Sequence, residues 1–239
     1  MPGTEPAAGG ITLSPRRLTV TITIAASVVL GLGYVRDVIG IVRGIPSAKL
    51  GFALFNLDAE LTLSAWFASL LLALVSLLML WAAIAERRRR LPTAPGWMLL
   101  GLAFIYMSLD EMSSIHEHFG DPFPALIDPV GLFTFRWVWI GLLLAVLAGA
   151  AFLPFLLRLP RRTAARLAVA GAVYVLGAVG FEMLSGAAVR AQGHSPTYLI
   201  LMMVEESLEI AGLVLAVRCL ALHLAGELGG PSLRLKPGS

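Results

Sequence analysis

Six stretches of the chain stay apolar for the length of a bilayer crossing, at 18–36, 62–84, 97–119, 132–157, 164–187 and 197–222. A spanning helix needs about 20 such residues. The connections between them are short, and none is long enough to fold as a hydrophilic domain. This pattern predicts an all-α polytopic membrane protein, a bundle of six transmembrane helices. The expected organisation is a flexible tail over 1–15, one six-helix membrane domain over 16–226, and a second flexible tail over 227–239. The first apolar run follows Arg16 and Arg17 as a signal peptide would. It is longer than a usual signal core, and no small-x-small cleavage site precedes Arg36, so it is expected to remain as a helix.

Composition sharpens this reading. Hydrophobic residues make up 58% of the 239 and charged residues 14%, against about 25% charged in a soluble domain. So small a soluble fold has too much surface to hide that apolar excess, which excludes an ordinary cytosolic enzyme. The one cysteine excludes an intrachain disulfide and a cysteine-based zinc motif. The basic pI near 9.4 raises nucleic acid as a partner, and the placement of the basic residues argues against it. With a cytoplasmic N-terminus, Arg16, Arg17, Arg87 to Arg90, Arg158, Arg161, Arg162, Arg166, Arg234 and Lys236 all fall on the inner side. That bias is the positive-inside signature. It predicts the bacterial cytoplasmic (inner) membrane, both termini in the cytoplasm, and membrane lipid as the partner. Arg87 to Arg90 then anchor on anionic headgroups.

The acids show the opposite asymmetry. Seven of the fifteen lie inside predicted spans: Asp110, Glu111, Glu117, Glu182, Glu205, Glu206 and Glu209. Ionisable groups at membrane depth are costly and mark functional sites. At 1.5 Å per residue they sit about 5 to 18 Å below the outer ends of their spans, although those spans run in opposite directions. On a continuous third helix Asp110 and Glu117 would share one row and Glu111 and His118 another, with His116 turned elsewhere. Glu205 and Glu209 are one turn apart with Met202 and Gly212 on the same face. Glu182 shares a stripe with Gly171, Ala178, Ser185 and Gly186, which lets another helix approach closely.

Several strings carry a resemblance: SLDEMSSIHEHFG in span three, FEM in span five, VEESLEIAG in span six, and NLDAELTLSAWFASLLL before and within span two. Together they resemble bacterial polytopic membrane proteins of unassigned function that carry LDExxSxHE, FE and EExxE motifs in transmembrane helices. The resemblance implies the same fold and carries no activity with it.

Carboxylates with one or two imidazoles suit a divalent ion such as Fe, Mn or Zn. The expectation is therefore metal-dependent oxidation or hydrolysis of a lipid-like or apolar substrate. The expected ligands are Asp110, Glu117, His116, His118, Glu182, Glu205 and Glu209. Glu111 would act as general base and Arg136 as counter-charge. The alternatives are a proton or cation transporter or channel subunit using the same acids, or a non-catalytic subunit of a membrane complex. Whether the chain forms a homo-oligomer stays open.

Overall fold

The computed structural model describes residues 11–12, 14–59, 61–116, 131–135, 137–226 and 232–233. The first helix, α1 (Pro15–Arg43), opens with proline at its first position and closes at Gly44, whose φ of 63° lets its N–H reach the Gly40 and Ile41 carbonyls. Next, α2 (Leu63–Arg88) is capped by the Thr62 hydroxyl, which accepts from the Ala65 N–H. The remaining helices are α3 (Ala94–Ser113), α4 (Trp137–Arg158), α5 (Arg161–Val175), α6 (Glu182–Gln192) and α7 (Pro196–Gly226). A π-helical stretch, Leu176–Phe181, joins α5 to α6 without a break in the helix. An antiparallel two-residue pairing of Ile11–Thr12 with Ser232–Leu233 brings the two ends of the chain together.

Five helical units are long and apolar enough to cross a membrane: α1, α2, α4, the α5–α6 unit and α7. The all-α class that the sequence predicts is what the described residues form. The expected sixth span is the departure. The helix α3 has 20 residues with Asp110 and Glu111 in its last turn, and it is not among the five. It stops at Ser113 and not at 119. Ser114 turns left-handed (φ 49°) and donates its N–H to the Asp110 carbonyl. The Asp110 carboxylate takes the His116 N–H at 2.7 Å. A short acid that offers the backbone such an alternative partner ends a helix.

The centre of the bundle is α2 and α7, each with 56% of its most apolar window buried, against 6% for α4. Close approach between α2 and α3 rests on small residues and on hydroxyls that bond across to backbone. Ser69 Oγ donates to the Ser108 carbonyl at 2.8 Å and Ser108 Oγ to the Ser69 carbonyl at 2.9 Å. Ser76 Oγ donates to the Gly101 carbonyl at 2.6 Å. Trp97 is fully buried, with Phe155 of α4 edge-on at 5.0 Å. Outward-facing positions such as Ile24, Val42, Leu77, Leu102, Leu147 and Leu157 carry exposed large apolar side chains. In water, so much exposed apolar surface would drive association; facing lipid it carries no such penalty.

The π-helical stretch also alters a face. An extra residue in the turn rotates the helix after it relative to the helix before it. Gly177 therefore meets α7, where a Cβ would lie 2.9 Å from the Glu205 carbonyl oxygen, while Gly171 has open space around it. The predicted stripe of Gly171, Ala178, Ser185 and Gly186 is thus only partly right. Ser185 and Gly186 are buried, and Gly177 takes the place assigned to the other two.

Candidate functional site

The helices α5 to α7 run antiparallel, as their contacts show. Cys219 lies against Thr163, Gly212 against Tyr174, Gly177 against Glu209, and Ser185 against Glu205. This register sets Glu182, at the first position of α6, beside the glutamates of α7. Glu182 and Glu205 lie close enough for their carboxyls to act on each other. Ser185 Oγ also donates to Glu205 Oε2, at 3.1 Å. Glu209 sits close enough to Glu111, Glu206 and Glu182 for their charges to act on it. The Tyr174 side chain lies within electrostatic reach of Glu209, Glu111, Asp110 and Glu206. The acids of α3, α6 and α7 thus converge, as their matched depths imply, and each is half-buried.

Asp110 does not point into this group as a free ligand. Its carboxylate pairs with His116 Nδ1 at 2.9 Å, and the imidazole packs edge-on to Trp137 of α4 at 4.7 Å. Asp110 and His116 therefore fasten the end of α3 to the start of α4. Glu117, His118 and Arg136, the remaining candidates, lie outside the described residues. Among the described residues, no group of three or more His, Cys, Asp and Glu side chains is disposed to hold a metal ion. Of the expected ligands, His116 is turned to Asp110, while Glu182 lies beside Glu205 and Glu209.

Three further residues join the cluster. The Tyr198 hydroxyl, one face-repeat before Glu205 on α7, donates to Asp58 Oδ1. Burial holds the Asp58 carboxyl above the ordinary aspartate range. The Tyr198 hydrogen bond and the nearby His194 pull it down, and the charges of Asp37 and Glu182 add to the rise. The Tyr34 hydroxyl pairs with Ser207 and donates to the Met203 carbonyl at 3.2 Å, tying α1 to the same stretch of α7. The loop that carries Asp58 is itself organised by buried Arg36. Its guanidinium reaches Asp37 at 2.6 Å, Asn56 at 2.9 Å and the Ser47 carbonyl at 2.9 Å. The i, i+7 relation of Tyr198 to Glu205 is readable from the sequence. The Asp58 contact, 140 residues away along the chain, is not.

A second polar group lies at the other end of the bundle. Glu86 is 2% exposed and His223 3%. Glu86 Oε1 meets His223 Nε2 at 3.0 Å and accepts from Trp97 Nε1 at 3.0 Å, while Thr93 donates to Oε2 at 2.5 Å. Glu86 adjoins the Arg87 to Arg90 run and His223 lies near the end of α7, yet both side chains are buried.

An all-α protein with five helical units long and apolar enough to cross a membrane, and with carboxylates gathered between three of its helices, is the class that fold and site define. The chain belongs to a family described as a domain of unknown function, DUF8692, whose model matches residues 18–224. No curated protein and no solved structure matches the chain.

Proposed function

We propose that this membrane protein binds protons at the Glu182–Glu205 pair and exchanges them for a cation, as a proton-coupled transporter or a channel subunit. The juxtaposition of the two carboxyls carries the reading: Ser185, one turn after Glu182, bonds Glu205, and the close approach of Gly177 to α7 sets the two acids side by side. Two carboxylate oxygens both accept, so a direct bond between them needs a proton on one. Released to water, that proton leaves two facing anions with Glu209, Glu111 and Glu206 close by. Like charges so close repel strongly, and an entering cation relieves the repulsion. These acids are half-buried, so they are not sealed off within the protein.

The buried Glu86–His223 pair favours transport over a one-sided site, because it sets titratable groups near the opposite end of the bundle as well. Glu209 and His223 are 14 positions apart on α7, about 21 Å along the axis. Transit between them therefore needs water or a conformational change. The pairing of the two chain ends supports an even number of crossings, with α3 as the sixth. The arginine bias supports cytoplasmic termini in an inner membrane.

The test is proton flux into liposomes loaded with a pH-sensitive dye. Wild-type protein should carry protons, and Glu182→Gln or Glu205→Gln should abolish the flux while leaving the folded protein intact. Stoichiometric metal in protein purified without chelator, lost in both variants, would instead favour the metal-dependent enzyme. Full flux in both variants would leave the acids a structural role.

A further inference from the structure

Between α5 and α7, on the outer surface of the bundle, runs a groove of about 250 Å³ lined by Ala165, Arg166, Val169, Leu215, Arg218 and Cys219. Its floor is apolar and closed, since Cys219 is buried and directs its thiol to the Thr163 carbonyl at 3.6 Å. Its walls are open: Arg166, Val169, Leu215 and Arg218 are all exposed. Among the described residues, neither arginine takes part in an ion pair.

Position makes the pair a candidate anion site. Arg166 lies five positions after the first residue of α5, and Arg218 eight positions before the last residue of α7. At 1.5 Å per residue these are about 8 Å and 12 Å from the helix ends. Both helical units are longer than a bilayer core of about 30 Å, so the two arginines fall near the boundary where anionic headgroups lie. The register that sets Cys219 beside Thr163 brings the two guanidinium groups to one groove. Arg158, Arg161 and Arg162 mark the same end of the bundle as basic.

We propose that this groove binds one anionic phospholipid from the leaflet at the basic end of the bundle. The headgroup phosphate bridges Arg166 and Arg218, whose planar forks match phosphate oxygens. One acyl chain lies along Val169 and Leu215. Basic pockets between membrane helices take anionic headgroups by this combination of charge and apolar contact. A soluble phosphate compound would gain the charge contact and lose the apolar one.

Native mass spectrometry of the full chain in neutral detergent micelles, doped with phosphatidylglycerol or phosphatidylcholine, tests this. One phosphatidylglycerol should be retained in preference to phosphatidylcholine. A cation near the membrane surface contributes about fivefold in affinity for an anionic lipid, so Arg166→Gln and Arg218→Gln should each weaken retention by about that factor and the pair by about 25-fold. Arg166→Lys with Arg218→Lys should keep most of it. Arg161→Gln should change it less than either, because that residue does not line the groove. Glycerol phosphate should compete poorly. Equal retention of the two lipids by wild-type protein overturns the proposal without recourse to any variant. So does undiminished phosphatidylglycerol binding by the folded double glutamine variant, or full displacement by glycerol phosphate.

Discussion

Glu86 and His223 meet at 3.0 Å although 137 positions separate them, and that contact fastens the end of α2 to the end of α7. Trp97 adds its indole N–H to the same carboxyl oxygen, so α3 is held there too. Removing one member of a buried, hydrogen-bonded pair costs about 3 to 5 kcal/mol. His223→Leu should therefore lower the thermal midpoint in detergent sharply. Glu86→Gln should cost less, because an amide oxygen still accepts from Trp97. The double variant should cost less than the sum of the two single changes. A His223→Leu protein as stable as wild type would show that the contact contributes nothing.

Helix approach around the acids depends on two glycines. A Cβ on Gly212 would lie 2.7 Å from the Tyr174 backbone nitrogen, and one on Gly177 would lie 3.0 Å from the Glu209 nitrogen. Backbone cannot swing aside as a flexible side chain can. Gly212→Ala should destabilise by about 1 to 3 kcal/mol, and it should reduce proton flux by parting α5 from α7. Gly171→Ala meets nothing within 4 Å. It should be neutral or mildly stabilising through helix propensity. Equal effects at 171 and 212 would contradict the packing described.

Asp58 gives a pH dependence with a definite sign. Its folded carboxyl is held above the ordinary range by burial, so folding favours the protonated form. The stabilisation from that form is complete below the ordinary aspartate value near 3.9. It fades as pH rises through the higher folded value. Asparagine keeps an oxygen for the Tyr198 hydroxyl and does not ionise. The thermal midpoint of Asp58→Asn, measured from pH 4 to 8, should therefore gain on wild type as pH rises. Parallel profiles, or a gap that closes with rising pH, would contradict the burial of this group.

Much of this architecture is legible in the sequence because apolar runs of spanning length have few alternatives in lipid. The convergence of Glu182, Glu205 and Glu209 is legible too, because depth follows from position along a helix. The course of α3 is not. It ends where Asp110 accepts the His116 N–H, and a periodicity that continues past that point reveals nothing of the exchange. The π-helical stretch is equally hidden, since LGAVGF reads as ordinary helix, and it moves the contact with α7 to Gly177. The burial of Glu86 is hidden too, because it adjoins Arg87 to Arg90. A charged run suggests water, yet the Glu86 carboxyl turns inward to partners supplied by α3, α7 and the short turn after α2.

The proton proposed to be shared by Glu182 and Glu205 is the centre of this account, and infrared spectroscopy of the purified protein at neutral pH tests it most directly. A protonated carboxyl has a C=O stretch distinct from that of a carboxylate. Wild-type protein should show that band, and Glu182→Gln and Glu205→Gln should each remove its contribution from this pair. A spectrum in which neither substitution changes the protonated-carboxyl band would contradict the shared proton and the proposed exchange.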